Sequence, residues 1–510
     1  MKLVLNGHDQ RYVVEQSLMN LFPGELPVYE PVQPGDDAWA VVSLREDERC
    51  HVTVELCWRG RAAAYSCGCP LSGTDFDREG QRRHAIARCF FLAFTKIVEQ
   101  IPPGGMQNIP PQGMLKIPPW GMLTGVRPDK PVTWALAAGK SPEQVRAMLE
   151  EEYFVTPQRA ALALETGAAA LEAQKKLGPR DIAVYVGIPF CPTRCAYCSF
   201  VSQSVERSFS LVPPYVDALI EEIRSGGEMA AAQGLRVRAF YMGGGTPTTL
   251  TAEQMDRVLT AFEEAFDIAS CEEITVEAGR PDTITAEKLA VLKAHGVTRV
   301  SVNPQTMEDH VLRAIGRRHT AGDIEAAMEL VGKYGFPHVN MDLIAGLPED
   351  TPEGFRRSLD RCLAFGTDNV TVHTLALKKG SRILTEGLAI PGPQAVAEML
   401  DHAAPALRGA GFQPYYLYRQ KYMSGSFENT GWCRPGAACW YNIYIMSELC
   451  SILSFGAGGS TKMVEFGTNR IQRAFNPKYP KEYTERPEKC RANQAAFAAF
   501  YDQLGIRNEE

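Results

Sequence analysis

Three cysteines fall in one short stretch, Cys191-Pro-Thr-Arg-Cys195-Ala-Tyr-Cys198, with gaps of three and then two residues. Thiolates are soft ligands that suit zinc, copper(I) or iron–sulfur clusters. A structural zinc site wants four ligands, often as two cysteine pairs. Here the set stops at three, with Ser199 and Phe200 next. A cubane [4Fe–4S] cluster has four irons, so three thiolates leave one iron open to an outside ligand. A zinc site completed from elsewhere, or three unrelated thiols, are the alternatives to a cluster.

The elements around this loop say how it is held. Ile182-Ala-Val-Tyr-Val before it is apolar and β-branched, which reads as a buried strand. From there strands and helices alternate. Strands are expected near 182–187, 236–241, 273–277, 298–303, 338–344 and 368–373. The helices between them have marked starts at Thr251-Ala-Glu-Gln254, Thr285-Ala-Glu-Lys288 and Thr351-Pro-Glu353. Successive βα units imply a parallel sheet with right-handed crossovers. In such sheets function gathers at the C-terminal strand ends.

The polar residues after those strands form a coherent set. The cysteines follow the first strand and Gly243-Gly244-Gly245-Thr246-Pro247 the second. Glycines let a ligand approach the backbone and leave amides free for a carboxylate or phosphate. No Gly-Lys-Ser/Thr follows, which argues against a nucleotide-phosphate loop. Glu277 follows the third strand, Asn303 and Gln305 the fourth, and Asp342 the fifth; Arg317 lies in Gly316-Arg-Arg-His319. Together they offer acceptors for an ammonium and hydroxyls and a donor for a carboxylate, as a zwitterionic, ribose-bearing cofactor requires.

The rest of the chain bounds the class. A length of 510 residues suggests about two or three domains. A net charge of -7 and a pI near 5.9 give no electrostatic case for nucleic acid. No signal segment and no bilayer-spanning apolar run is expected, and irregularly spaced thiols suit a reducing cytoplasm. Residues 1–101 read as a small α/β domain with strands at Lys2–Leu5, Ala38–Val42 and His51–Leu56 and a helix from Asp77 to Gln100. Cys67-Gly68-Cys69 reads as a turn between strand and helix, with a metal or redox pair as the alternative. Residues 102–180 read as a Pro-rich linker plus helices, the linker running from Pro102 to Pro119, with helix starts at Ser141-Pro-Glu-Gln144 and Thr156-Pro157. Residues 181–380 form the core and 381–510 a C-terminal region that closes the site and adds a tail.

The order of motifs resembles one family. Tyr185 to Cys198, Gly-Gly-Gly-Thr-Pro-Thr, Val-Glu-Ala, Asn-Pro-Gln, Ile-Gly-Arg-Arg-His and Asp-Leu-Ile-Ala-Gly-Leu-Pro are similar to those of the radical S-adenosylmethionine (SAM) enzymes. Within that superfamily they resemble the oxygen-independent coproporphyrinogen III dehydrogenases. The HemZ-type members share the N-terminal domain, the segment from Trp120 to Pro128 and the segment from Tyr416 to Lys421. The resemblance implies an α/β fold: a partial (β/α)6 barrel with an N-terminal α/β domain and a C-terminal extension. It implies that Cys191, Cys195 and Cys198 hold a [4Fe–4S] cluster. Gly244, Gly245 and Thr246 then line the methionine end of SAM, and Tyr185, Glu277, Gln305, Arg317 and Asp342 match further SAM contacts. Tyr197 matches a position near a second SAM molecule, and Phe455 to Ser460 a late segment near the adenine.

The implied activity is the oxidative decarboxylation of coproporphyrinogen III propionates to vinyls in porphyrin and heme biosynthesis. An electron donor such as flavodoxin or ferredoxin is implied as a partner. Arg419 and Lys421, beside Tyr415, Tyr416 and Tyr418, are candidate partners for the tetrapyrrole carboxylates. No catalytic residue is assigned. The chain departs from the family in two places. The dehydrogenases have a further cysteine just after the third, where Ser199 and Phe200 stand here. The heme-chaperone relatives carry His-Asn-x-x-Tyr-Trp, where the nearest stretch here is Tyr441-Asn-Ile-Tyr-Ile-Met446. A heme chaperone, or another tetrapyrrole-binding radical SAM protein on the same fold, is the alternative reading.

Overall fold

The computed structural model describes every residue except Pro23, 103–116, 199–202, Lys379, 421–422, Asn469 and 506–510. Most of the expected Pro-rich linker, Ser199, Phe200 and Lys421 therefore lie outside the described residues. The described chain forms two compact units, the first built mainly from Met1–Leu164 and the second mainly from Glu165 onward.

The first unit is built on a four-stranded sheet of β1 (Lys2–Asn6), β2 (Ala38–Glu46), β3 (Cys50–Trp58) and β4 (Arg61–Cys69), in that order. β1 runs parallel to β2 and the other neighbours are antiparallel. Cys50, Val52, Val54 and Leu56 of β3 are buried while His51 and Glu55 face out, the period-2 pattern of a half-buried strand. The helix Asp75–Glu99 covers the inner face with Ile86, Phe90, Phe94 and Ile97, and Thr74 and Asp77 form its capping box.

The Cys67-Gly68-Cys69 stretch corrects its sequence reading. It is no turn but the end of β4, with Cys69 opposite Cys50 and Cys67 opposite Val52. The turn lies earlier, at Arg59-Gly60, where both residues have positive φ, 50° and 76°. Two such residues make the tight connection that a twisted hairpin favours. Elsewhere in this unit the capping box at Ser141 and Gln144 forms as expected.

The second unit carries an eleven-stranded sheet among the described residues. Its centre is six parallel strands: β5 (Asp181–Ile188), then, after the short pair β6 (Phe190–Cys191) and β7 (Gln203–Ser204), β8 (Arg236–Gly244), β9 (Glu273–Gly279), β10 (Arg299–Val302), β11 (His338–Ala345) and β12 (Asn369–Thr374). Helices Val212–Ala232, Ala252–Ala265, Ala286–Ala294, Ala321–Tyr334 and Pro352–Ala364 return the chain between them. Thr251, Thr285 and Thr351 cap three of these, as their spacing predicts. β10 is buried at every position, as a strand covered on both faces must be.

The C-terminal region extends the sheet at both edges. β13 (Gln413–Tyr418) and β14 (Asn429–Cys433) add antiparallel strands beyond β12. β15 (Ser451–Phe455) pairs parallel with β5, and β16 (Ser460–Val464) and β17 (Ile471–Phe475) follow it. The last helix, Pro487–Gln503, packs its Phe497, Phe500 and Tyr501 inward. No described helix is long and apolar enough to cross a membrane.

Candidate functional site

The cysteine loop is tied down from three sides. β5 delivers it, and Phe190–Cys191 pairs with Gln203–Ser204. The Ala196 amide donates to the Ile315 carbonyl at 2.9 Å, and the Cys198 amide to the Cys195 carbonyl at 3.1 Å. The buried Arg280, just past β9, donates to Thr193 Oγ1 at 2.8 Å and to its carbonyl at 3.3 Å. Thr193 Oγ1 in turn donates to the Gly316 carbonyl at 3.1 Å. Asp282 holds the other side of Arg280 at 2.9 Å. Burial alone would raise the Asp282 carboxyl, but His319 and Arg280 outweigh it and hold it well below the usual range. Cys195 is buried, and Cys191 and Cys198 are half-buried.

The glycine run lies directly against this loop. The Gly245 amide donates to the Ile188 carbonyl and the Thr246 amide to the Phe190 carbonyl, both at 2.7 Å. The Thr246 hydroxyl reaches Cys191 Sγ at 3.4 Å. A Cβ on Gly245 would stand 2.5 Å from the Phe190 carbonyl oxygen, so no larger residue fits. A Cβ on Gly243 would meet the Tyr241 ring at 2.9 Å and the Glu277 carboxyl at 3.1 Å.

Glu277 and Asp342 are two half-buried carboxylates with opposite environments. Burial pushes the Glu277 carboxyl up to about 7, although the Tyr241 hydroxyl donates to its Oε1 at 2.6 Å. Burial also acts on Asp342, but His373 at 3.6 Å and the Asn340 amide at 2.8 Å outweigh it and lower its pKa. Tyr185, Tyr241 and Tyr441 stack beside Glu277, with Tyr241 and Tyr441 ring centroids 4.6 Å apart.

On the β10 side, Arg317 is buried. It donates to the Asn303 and Pro304 carbonyls and, at 3.2 Å, to the Tyr197 hydroxyl. Gln305 has φ of 69°, the left-handed region that a branched or long side chain rarely takes. Its amide donates to the Asp342 carbonyl at 2.9 Å and its carbonyl accepts from Ile344 at 3.0 Å, and these bonds hold it there. Asn303 Oδ1, Gln305 Oε1 and Arg317 Nε are buried without a hydrogen-bond partner among the described residues. Buried polar atoms are rarely left unpaired, so two acceptors and a donor here await a ligand.

The late glycine segment is anchored from behind. The Gly456 amide donates to Glu222 Oε2 at 2.8 Å, and Tyr215 donates to the Gly187 carbonyl at 2.6 Å while accepting from the Ala457 amide at 3.0 Å. Asn476 and Tyr483 also donate to Glu222, at 2.7 and 2.6 Å. Arg419 sits in the first unit. Its guanidinium donates to the Leu123 carbonyl and lies 6.0 Å from the Trp120 ring. Tyr415 and Tyr416 are buried in the second unit.

Sequence reasoning missed Tyr241, Tyr441, His373 and Arg280. His373 was findable, since it stands next to the C-terminal end of β12, where the strand-end rule looks. Tyr241 was also findable, as it shares a face with Gly243 two residues on. Tyr441 comes from the C-terminal region, and nothing in its local sequence places it beside Glu277.

Comparison with known proteins decides the family. The family model of the radical SAM superfamily matches residues 185–362. Over 371 residues the chain is 39% identical to the oxygen-independent coproporphyrinogen-III oxidase-like protein HemZ of Bacillus subtilis, covering 72% of this chain and 74% of that one. The chain belongs to the radical SAM superfamily, in its coproporphyrinogen-III oxidase-like family. It is also 31% identical over 328 residues to the heme chaperone HemW of Mycobacterium tuberculosis, covering 63% of this chain and 77% of that one. The structure of the coproporphyrinogen III oxidase HemN from Escherichia coli has the same fold, with a TM-score of 0.50 at 24% identity over 65% of this chain and 72% of that one.

The radical SAM family uses a [4Fe–4S] cluster and SAM. The residues present fit both groups. Three thiols share one anchored loop, glycines without room for a Cβ flank it, and the orphaned acceptors and donor suit a zwitterion with hydroxyls.

Proposed function

We propose that this chain is a radical SAM oxidoreductase that converts propionate side chains of coproporphyrinogen III to vinyls without oxygen. The observation that carries the reading is the 39% identity to the coproporphyrinogen-III oxidase-like protein, which runs through nearly three quarters of both chains. In this reading Cys191, Cys195 and Cys198 hold the cluster, and Gly244, Gly245 and Thr246 receive the methionine end of SAM. Tyr185, Glu277, Gln305, Arg317 and Asp342 take its remaining polar atoms, and Tyr197 stands near a second SAM. When bound, cluster and SAM supply a one-electron cleavage whose radical removes a hydrogen atom from a propionate β-carbon.

The chain's own residues do the rest. Arg280 and Thr193 fix the loop that sets the cluster's position. Glu277, once ionised, accepts from an ammonium or hydroxyl, and Arg317 and Tyr197 present donors. The Tyr185, Tyr241 and Tyr441 stack fills the space beside Glu277 and keeps water from it. The substrate radical would then lose CO2 and pass one electron to an external one-electron acceptor, leaving the vinyl group. Arg419 and Lys421 are the proposed carboxylate partners.

Heme binding without turnover is the second reading, favoured by the 31% identity to a heme chaperone. The test is anaerobic incubation of the reconstituted protein with coproporphyrinogen III, SAM and a reductant. Protoporphyrinogen and 5′-deoxyadenosine forming in proportion support the decarboxylase. SAM cleavage without vinyl product, with heme bound one per chain, supports the chaperone.

A further inference from the structure

The N-terminal unit gathers four thiols on the inner face of its sheet. Cys67 and Cys69 lie two apart on β4, on one face, and Cys50 stands directly opposite Cys69 on β3. Cys89 comes from the helix Asp75–Glu99 that covers this face, and its Sγ lies 2.6 Å from Cys67 Sγ. A disulfide bond is about 2.05 Å long, so a small movement separates contact from a bond. The Cys67–Cys89 contact points to sulfur–sulfur chemistry.

We propose that Cys67 and Cys89 form a dithiol site that exchanges with low-molecular-weight disulfides, with Cys67 as the entry thiol and Cys89 as the resolving one. Access assigns the roles. Cys67 is half-buried and Cys89 is fully buried. The electrostatics agree. The Cys89 thiol, then the Arg88 guanidinium, favour the Cys67 thiolate and lower its pKa, while burial pushes Cys50 up to about 12 and raises Cys69. A thiolate is the attacking form, and cationic neighbours favour it.

The exchange balances as follows. The Cys67 thiolate attacks one sulfur of RS–SR, forming Cys67–S–SR and releasing RS⁻, which takes up the proton Cys67 gave. Cys89 then loses its proton and attacks the Cys67 sulfur. The Cys67–Cys89 bond forms and the second RS⁻ leaves with that proton. Two protein thiols are oxidised and one disulfide is reduced to two thiols.

The test uses the full-length protein with its cluster, held anaerobically at set ratios of glutathione disulfide to glutathione. Thiols are then alkylated, the chain is digested and the peptides are quantified by mass. The linked Cys67–Cys89 peptide is expected to rise from background to the main form as the ratio increases. Cys89→Ser is expected to trap glutathione on Cys67, and Cys67→Ser to leave Cys89 unlinked. Full alkylation of both thiols at every ratio overturns the proposal. So does a Cys67–Cys69 link as the main product. The wild-type map decides even if a variant fails to fold, and cofactor activity does not enter the readout.

Discussion

The Tyr241 hydroxyl donates to Glu277 Oε1 at 2.6 Å, at the C-terminal ends of two neighbouring strands. The carboxyl is nonetheless held near pH 7 rather than 4.5, because burial and the nearby Asp342 oppose its charge. Its folded pKa is above its unfolded one, so between those values the folded state binds the extra proton. Stability in the absence of SAM therefore falls as pH rises from about 4.5 to about 7. Glu277→Gln is expected to flatten that slope, read from thermal midpoints between pH 5 and 8.

The same carboxyl links SAM binding to pH. An ionised Glu277 is the better acceptor for an ammonium or hydroxyl, so SAM affinity is expected to rise with pH until about 7. Hydrogen bonds to charged groups contribute about 1.5–3 kcal/mol. Glu277→Gln should then weaken SAM by on the order of tenfold or more at pH 8. Equilibrium dialysis with labelled SAM reads both effects, and an unchanged affinity at pH 8 contradicts the assigned contact.

Gln305 trades backbone strain for an acceptor. A long side chain in the left-handed region costs on the order of 1–3 kcal/mol. Gln305→Gly is expected to keep or raise the thermal midpoint while lowering SAM affinity. A fall in both would make Gln305 a packing residue.

Gly245→Ala places a Cβ 2.5 Å from a backbone oxygen that cannot swing away. Such crowding costs about 1–3 kcal/mol, and the cysteine loop should shift with Phe190. Lower iron content and a lower midpoint are expected after reconstitution. Gly332→Ala is the control, since nothing lies within 4 Å of its Cβ and it sits in a helix. It should leave iron unchanged and stabilise by about 0.5–1 kcal/mol.

Arg280→Ala cuts the tether to Thr193 and leaves Asp282 without its closest cation. The cluster should then lose iron to a chelator several-fold faster than in the wild type. An unchanged rate, measured by chelator absorbance, removes Arg280 from the loop's support.

Much of the second unit was legible because local signals agreed with the tertiary result. Thr251, Thr285 and Thr351 announced helix starts, β-branched runs announced strands, and the strand-end rule assembled Glu277, Gln305 and Asp342. What escaped depends on long-range partners. The segment Tyr415 to Tyr418 looks like an aromatic surface, yet it is an edge strand whose Tyr415 and Tyr416 are buried. Glu222 lies on the helix Val212–Ala232, but three hydrogen bonds to its carboxylate come from residues more than two hundred positions away. Cys67-Gly68-Cys69 was misread because the real turn, Arg59-Gly60, carries only one residue that advertises it.

The central claim is that Cys191, Cys195 and Cys198 hold a [4Fe–4S] cluster with one iron left for SAM. The most direct measurement is electron paramagnetic resonance of the reduced, reconstituted protein with and without SAM, alongside iron counts. The account predicts a reduced-cluster signal that SAM shifts, and its loss with the bound iron in the triple alanine variant. A triple variant that keeps its full iron, or a signal that SAM leaves unmoved, would contradict it.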